Sequence, residues 1–410
     1  MKAVVIAVGN ELIFGQTVDT NSAWLADQLA RRGLETVRHV AVGDSTEAIA
    51  EAIRHAAARA DVVLVSGGLG PTADDLTRQG LAQALGVELQ LNEACLAELE
   101  AWFSGHGRQM IPANRIQAMF PAGAEPLPNR YGTAPGIAAS IGGAQVFVMP
   151  GVPHEMRGMY HGVIAPRLGS GDQVILHHVV HTFGTGESDI SHRIGDLMAD
   201  RSGPVMLGTT VQAGMVSIRI TVQAAETEQA RRAASETAAA LRSRLGALVV
   251  GEGDETMPSV VGRLLGRAGQ TLATAESCTG GLVGQMITAV PGASDYYLGG
   301  VISYANQAKR RDLGVADELL AAAGAVSEPV ARAMAEGCRE RFASDWAVAL
   351  TGIAGPAGGS DDKPVGLVYI ALAGPHGSRV HRHVFPGDRR IIRLRAALSA
   401  LNYVRLALLD

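Results

Sequence analysis

Residues 275–281 read Ala-Glu-Ser-Cys-Thr-Gly-Gly, so three side chains able to act as nucleophiles, Ser277, Cys278 and Thr279, stand directly before the apolar run 282–290. A hydroxyl attacks a carbonyl only when a base takes its proton, whereas a thiol needs a lowered pKa. The run 270–276 has strand character and the run from 280 helical character, which places the three residues on a strand-to-helix turn. Unpaired N–H groups at such a helix start can hold an oxyanion or a phosphate, and Gly280 and Gly281 would let a ligand approach the backbone. The competing reading is structural: Ser277 and Thr279 merely cap the helix, and Cys278 packs beneath it as an inert thiol.

Further along, Tyr304 and Lys309 follow a short apolar run, and Thr351 precedes a glycine-rich loop containing Gly352 and Gly355, with Lys363 before the next strand. No histidine lies near these segments, so the amine of a partly buried lysine is the available proton acceptor for a serine. Otherwise Lys309 is a solvated cation beside Arg310 and Arg311.

A second set of groups lies near the N-terminus. Gly67, Gly68 and Gly70 could wrap an anion in backbone, and Glu11, Asp19, Asp74 and Asp75 suit a hard divalent ion (Mg, Mn or Co) bridging phosphates. The plainer alternative makes Thr72 and Asp75 a capping box and gives Asp19 and Asn21 to the cap of the next helix. His177, His178 and His181 invite a metal reading, but on a strand His178 faces away from the other two, which favours isolated surface histidines.

The elements that must carry these groups alternate. Residues 2–8, 35–42 and 61–68 read as strands and 20–33 and 45–60 as helices, the latter boxed by Asp44 and Glu47. Such alternation predicts a mostly parallel sheet with helices on both faces and ligands at the strands' carboxyl ends. The style changes around Pro166–Asp172; residues 174–250 read as strand, helix (188–200), strand and helix, a small α+β unit. A Gly/acidic/Pro linker at 251–259 then opens a last α/β part able to fold alone. The expected domains are 1–170, 174–250 and 253–410.

A 47% hydrophobic chain of 410 residues can fill several cores, while 35 basic against 40 acidic residues, net −5, offer no broad attraction to nucleic acid or anionic lipid. Three scattered cysteines build no disulfide framework, and neither a signal peptide nor a span of about 18 apolar residues is apparent. These observations predict a cytoplasmic protein with small-molecule partners, no nucleic acid, no membrane, and a homodimer by the general prior for soluble proteins.

Taken together, "AESCTGG", "YANQAK", "GAVSEPVARAMAEG", "TGIAGPAGG" and "KPVGLVYIA" resemble the C-terminal domain of the CinA family. The resemblance implies a metal-free nicotinamide mononucleotide deamidase, hydrolysing the carboxamide to carboxylate and ammonia. By motif, Ser277 becomes the nucleophile, Lys309 or Tyr304 its proton carrier, and Thr279, Gly280, Gly281, Thr351, Gly352 and Gly355 site residues; "FPGDRR" makes Arg389 a candidate for the substrate phosphate. The N-terminal segments resemble the same family's domain related to molybdopterin-binding proteins of the MoaB type. Gly-Gly-Leu-Gly followed by Asp74-Asp75 departs from the pterin-binding pattern and implies metal-dependent hydrolysis of ADP-ribose to AMP and ribose 5-phosphate, with Asn21, Gly67, Gly68 and Gly70 toward substrate. The middle part resembles a KH-like unit without the Gly-X-X-Gly loop, a connector rather than an RNA-binding module. The implied fold is α/β: a three-layer MoaB-like domain, a KH-like domain and a three-layer deamidase domain. The alternatives are a deamidase whose N-terminal domain only binds a nucleotide or pterin, and a DNA-uptake or repair accessory factor.

Overall fold

Residues 1–169, 171, 173–199 and 203–409 are described by a computed structural model of the chain. Internal packing divides it into two units, residues 1–176 with 222–233 and residues 177–221 with 234–410. Within the described residues no helix is long and apolar enough to cross a membrane.

The first unit is built on strands β1 (Lys2–Val8), β2 (Glu35–Val42), β3 (Val62–Ser66), β4 (Leu89–Leu91), β5 (Met119–Pro121), β6 (Glu125–Leu127), β7 (Gly136–Ile141) and β8 (Ala144–Met149). Six form a sheet of order β2-β1-β3-β8-β7-β6, and β4 pairs with β5 separately. The first four strands run parallel, as the alternation predicts, but β7 and β6 are antiparallel additions. Strand side chains alternate between faces. Val5, Leu64 and Phe147 therefore pack with Leu25, Leu29 and Met156 on one side, and Ile6, Val65 and Val148 with Ile49, Ile53 and Leu81 on the other. Two cores flanking one sheet make three layers. Helix Thr20–Ala30 starts where Asp19 accepts the Ser22 N–H, and helix Thr46–Ala57 starts on Ser45, not on the Asp44–Glu47 box expected from sequence. Asp44 instead accepts the Asn10 N–H at 2.9 Å.

A second sheet, most of whose residues belong to the second unit, has the order β10-β11-β9-β12, from β9 (Val174–Phe183), β10 (Val205–Gln212), β11 (Met215–Ala224) and β12 (Val249–Glu252). The single helix expected over 188–200 is two, Glu187–Arg193 and Gly195–Ala199; Asp200, like Ser170 and Asp172 of the predicted domain junction, lies outside the described residues. Each of the three histidines has hydrogen-bond partners of its own. His177 meets Thr221 at 3.0 Å, His178 meets Glu252 at 2.8 Å, and His181 joins Ser217 to the Gly253 carbonyl.

The last sheet, order β14-β13-β15-β16-β17, uses β13 (Leu272–Glu276), β14 (Tyr297–Ile302), β15 (Trp346–Gly352), β16 (Leu367–Gly374) and β17 (Gly377–Val384). Only β14, β13 and β15 are parallel. Its faces differ in size. Leu272, Val348, Leu350, Ile370 and Leu372 pack beneath helices Met257–Ala268 and Arg389–Ala407, whereas Ala273, Ala275, Ala347, Ala349, Ala371 and Ala373 face Met334 and Cys338 of helix Glu328–Phe342. Small residues in register let that helix lie close to the sheet. The parallel strands end together at Glu276, Ile302 and Gly352, and the three motif loops leave from those ends.

Candidate active site

Strand β13 delivers Glu276 at its last position, and Ser277 N–H still bonds to Leu350 O at 3.0 Å, so the nucleophile candidate stands at the carboxyl end of an interior strand, just before helix Leu282–Thr288. Gly280 and Gly281 carry φ of 60° and 92°, a left-handed conformation that glycine adopts without strain. A side chain on Gly281 would also press on Ile302. The turn is held from inside by Glu276, which is 2% exposed. Its Oε2 accepts the Gly281 and Val283 N–H groups at 3.0 and 3.1 Å, and its Oε1 accepts that of Gly284 at 2.9 Å. The helix N-terminus expected to stabilise an oxyanion is therefore already filled by an internal carboxylate. Gly280 and Gly281 shape the turn, and Gly281 gives its N–H to Glu276.

Lys309 is on the first turns of helix Asn306–Leu313, yet it is buried (1% exposed), unlike its neighbours Arg310 and Arg311, which pair with Asp317 and Asp312. Its Nζ donates to Ser303 O at 2.6 Å and lies 3.1 Å from Ser277 Oγ. Desolvation pushes the amine below its ordinary value of 10.5. A neutral amine can accept the serine proton, and the Ser303 carbonyl fixes its direction. Tyr304 is not on the serine: it is 62% exposed and its hydroxyl accepts from Arg389 Nη2 at 3.1 Å. Arg389 Nη1 donates to Gly355 O at 2.9 Å, so the arginine ties the Tyr304 segment to the glycine-rich loop. Thr351 is buried with its hydroxyl on Ala325 O, Gly352 is held against Leu367 and Val368 within the sheet, and Lys363 reaches the Ala323 carbonyl. Thr279 is wholly buried; its Oγ1 has no hydrogen-bond partner, while its carbonyl accepts from Arg393 Nη2. Cys278, beside the serine, is buried and its thiol is pushed up to about 12 by desolvation. A thiol that stays protonated at neutral pH is a poor nucleophile.

In the first unit, the loops after β1, β3 and β8 border a cleft of about 390 Å³ whose lining includes Glu11, Gly67, Gly68, Gly70, Asp74 and Asp75. Asp44 and Glu155 line it too, and sequence reading missed both. The glycines are there for close approach: a Cβ on Gly67 would strike Val8 O, and one on Gly68 the Thr77 hydroxyl. Arg78, also missed, is fully buried and donates to Leu69 O at 2.7 Å and Gly70 O at 3.4 Å, fixing the loop from behind. Asp75 accepts from the Thr72 N–H and hydroxyl, which closes this loop and does not cap helix Thr77–Leu85. Thr72 also holds the Asp74 carboxyl below its usual range. Asp19 and Asn21 are not part of the cleft lining. Asp19 caps helix Thr20–Ala30, and Asn21 Nδ2 donates to Ser66 Oγ and Gly151 O, tying two of the loops together. Among the described residues no three acidic, cysteine or histidine side chains close around one point. The carboxylates thus do not form a protein-only cage for a metal, but one or two of them suffice for an ion that also takes substrate phosphates and water.

Three family models match successive parts of the chain. Residues 4–170 match the model described as "Probable molybdopterin binding domain", residues 177–251 that of the "Damage-inducible protein CinA KH domain", and residues 254–408 that of the "CinA C-terminal domain". A CinA-like protein of Anaeromyxobacter sp. (strain Fw109-5) is 45% identical over 406 residues, 98% of each chain. The chain belongs to the CinA family. Another CinA-like protein, from Geobacter sulfurreducens, is 44% identical over 412 residues and the full length of both chains. Among solved structures, the CinA protein of Thermoplasma acidophilum is 36% identical, covering 41% of this chain and 98% of its own, with a TM-score of 0.39. The fold is mixed α/β, with molybdopterin-binding-like, KH-like and CinA C-terminal domains.

Proposed function

We propose that this CinA-family chain is a bifunctional hydrolase of pyridine nucleotides, with a nicotinamide mononucleotide deamidase in the C-terminal domain and an ADP-ribose diphosphatase in the N-terminal one. The observation that carries the first activity is the buried contact between Lys309 Nζ and Ser277 Oγ at 3.1 Å. Lys309, neutral, takes the hydroxyl proton as Oγ attacks the carboxamide carbon. The same proton passes to the departing nitrogen, ammonia leaves, and an acyl ester remains on Ser277. Water, deprotonated by Lys309, then cleaves the ester to the carboxylate and restores both side chains. The amides of Cys278 and Thr279, upstream of the N–H groups that Glu276 occupies, are the donors nearest in sequence for the oxyanion. Arg389, anchored by Tyr304 and Gly355 at the rim, is the cation for the substrate phosphate.

For the N-terminal domain the support is the cleft in which a glycine loop meets Glu11, Asp44, Asp74, Asp75 and Glu155. Asp74 and Glu11 would hold a divalent ion, which supplies charge neutralisation to a diphosphate when bound. Gly67, Gly68 and Gly70 present backbone to the same group, and Arg78 keeps that loop in shape.

The test uses the purified chain. Ammonia should be released from nicotinamide mononucleotide in the presence of EDTA, and AMP from ADP-ribose only with added divalent metal. No ammonia release would refute the deamidase. ADP-ribose that binds without being cleaved would assign the N-terminal cleft to binding alone.

A further inference from the structure

Beside the acidic cleft lies a second, larger cavity of about 480 Å³, lined by Leu99, Trp102, Pro126, Pro128, Arg130 and Thr133 among others. The two are joined. Thr133 lines both, and Asn129, on the wall of the second, donates from Nδ2 to Glu155 Oε2 of the first at 2.7 Å. The Thr133 hydroxyl in turn accepts from Gln117, another residue of the acidic cleft, at 3.2 Å. The cleft and cavity therefore share a wall held by side-chain hydrogen bonds.

Their chemistry differs. The first presents glycine backbone and five carboxylates; the second presents an indole and proline rings, with the Arg130 guanidinium and a single carboxylate, Glu98. Trp102 is stacked on His106, ring centroids 4.2 Å apart, and braced edge-on by Phe103 at 5.2 Å. An indole held in this way is a rigid platform, and Leu99 beneath it is buried on the core side of helix Glu93–Gly105. A planar, neutral heteroaromatic ring stacks on such a surface with little dependence on its hydrogen-bonding edge.

We infer that this cavity is the nucleobase subsite of the N-terminal domain: it takes the aromatic base of a nucleotide whose phosphates lie on the Gly67–Gly70 loop. The inference rests on the nucleotide reading of the acidic cleft and adds to it where the base goes. It also gives the domain a reason to prefer a nucleoside diphosphate derivative over a sugar phosphate, because only the former reaches both compartments.

The test is binding, read without turnover. AMP and ribose 5-phosphate are titrated into the full-length protein, with and without magnesium chloride, while tryptophan fluorescence and heat of binding are followed. AMP should quench a component of the emission that is missing in Trp102→Phe, and ribose 5-phosphate should not. Trp102→Ala should weaken AMP about tenfold, Trp102→Phe much less, and neither should alter ribose 5-phosphate binding. Unquenched emission on AMP binding, or equal AMP affinity in wild type and Trp102→Ala, would overturn the subsite. Should Trp102→Ala fail to fold, the comparison of wild type with Trp102→Phe decides alone. The two readings fail separately. ADP-ribose cleavage with silent Trp102 fluorescence keeps the activity and removes the subsite, whereas AMP quenching without ADP-ribose cleavage keeps the subsite and removes the activity.

Discussion

Replacing Glu276 by glutamine tests how the nucleophile is positioned. Both carboxylate oxygens accept backbone N–H groups, two on Oε2 and one on Oε1, in a site 2% exposed. An amide can keep its oxygen on Gly281 and Val283, but its NH2 then faces the Gly284 N–H, donor against donor. Losing one charge-assisted bond and burying an unpaired donor costs about 2–4 kcal/mol. The loss falls on the turn that carries Ser277, and a displacement of about 1 Å there lowers turnover on the order of a hundredfold. Glu276→Gln should therefore lower kcat for deamidation by about 10–100-fold with KM little changed. The urea concentration at which deamidase activity is lost should fall as well. Glu276→Asp, one methylene short of three donors, should do no better. Wild-type kcat together with an unchanged urea midpoint in Glu276→Gln would refute the reasoning.

Ser277→Ala should lose about a thousandfold or more in turnover, measured as ammonia release, whereas Cys278→Ala should retain most activity; the reverse pattern would make the thiol the nucleophile. Lys309→Arg should be nearly as inactive as Lys309→Ala, since a guanidinium stays protonated. Because the folded amine has its pKa lowered from 10.5 and must be neutral to act, wild-type kcat/KM should climb as pH rises through a value below 10.5; a profile flat until that value would contradict the assignment. A fragment beginning at residue 253 should be less stable than one beginning at 246. The buried Arg405 donates to Ala247 O and Val249 O at 2.6 and 2.9 Å, and the shorter fragment strands that cation; equal thermal melting of the two would show that other groups replace those carbonyls.

What sequence could reveal followed from local signals. The turn at Ser277 was legible because a β-rich run, two glycines and a helical run adjoin, and the cleft glycines because they follow apolar strands. Lys309 was ambiguous, since a lysine followed by two arginines has the appearance of a solvated face until burial is known. Glu276 passed unnoticed although an acid at the end of an otherwise apolar strand is a detectable anomaly; its partners are backbone groups five to eight residues later, which no side-chain pattern encodes. Arg78 was missed for the same reason, as its acceptors are carbonyls. The antiparallel pairing of β7 and β16 escaped because a buried strand reads alike in either direction, and β17, which has no buried residue, carries little apolar signal of its own. The hydrogen-bond partners of the three histidines, Thr221, Glu252, Ser217 and Gly253, were not legible because they come from other segments of the chain.

The protonated thiol beside the nucleophile has a consequence for how this protein meets its chemical surroundings. Alkylating reagents, peroxide and disulfides react with thiolate, and Cys278, held near 12 and sealed beneath the helix, presents almost none at neutral pH. Deamidation by such a site should persist through oxidative stress that silences amidases built on a cysteine. An electrophilic probe meant for the serine would likewise label Ser277 without a competing adduct on the adjacent residue, so mass spectrometry of a single tryptic peptide could count occupied sites directly.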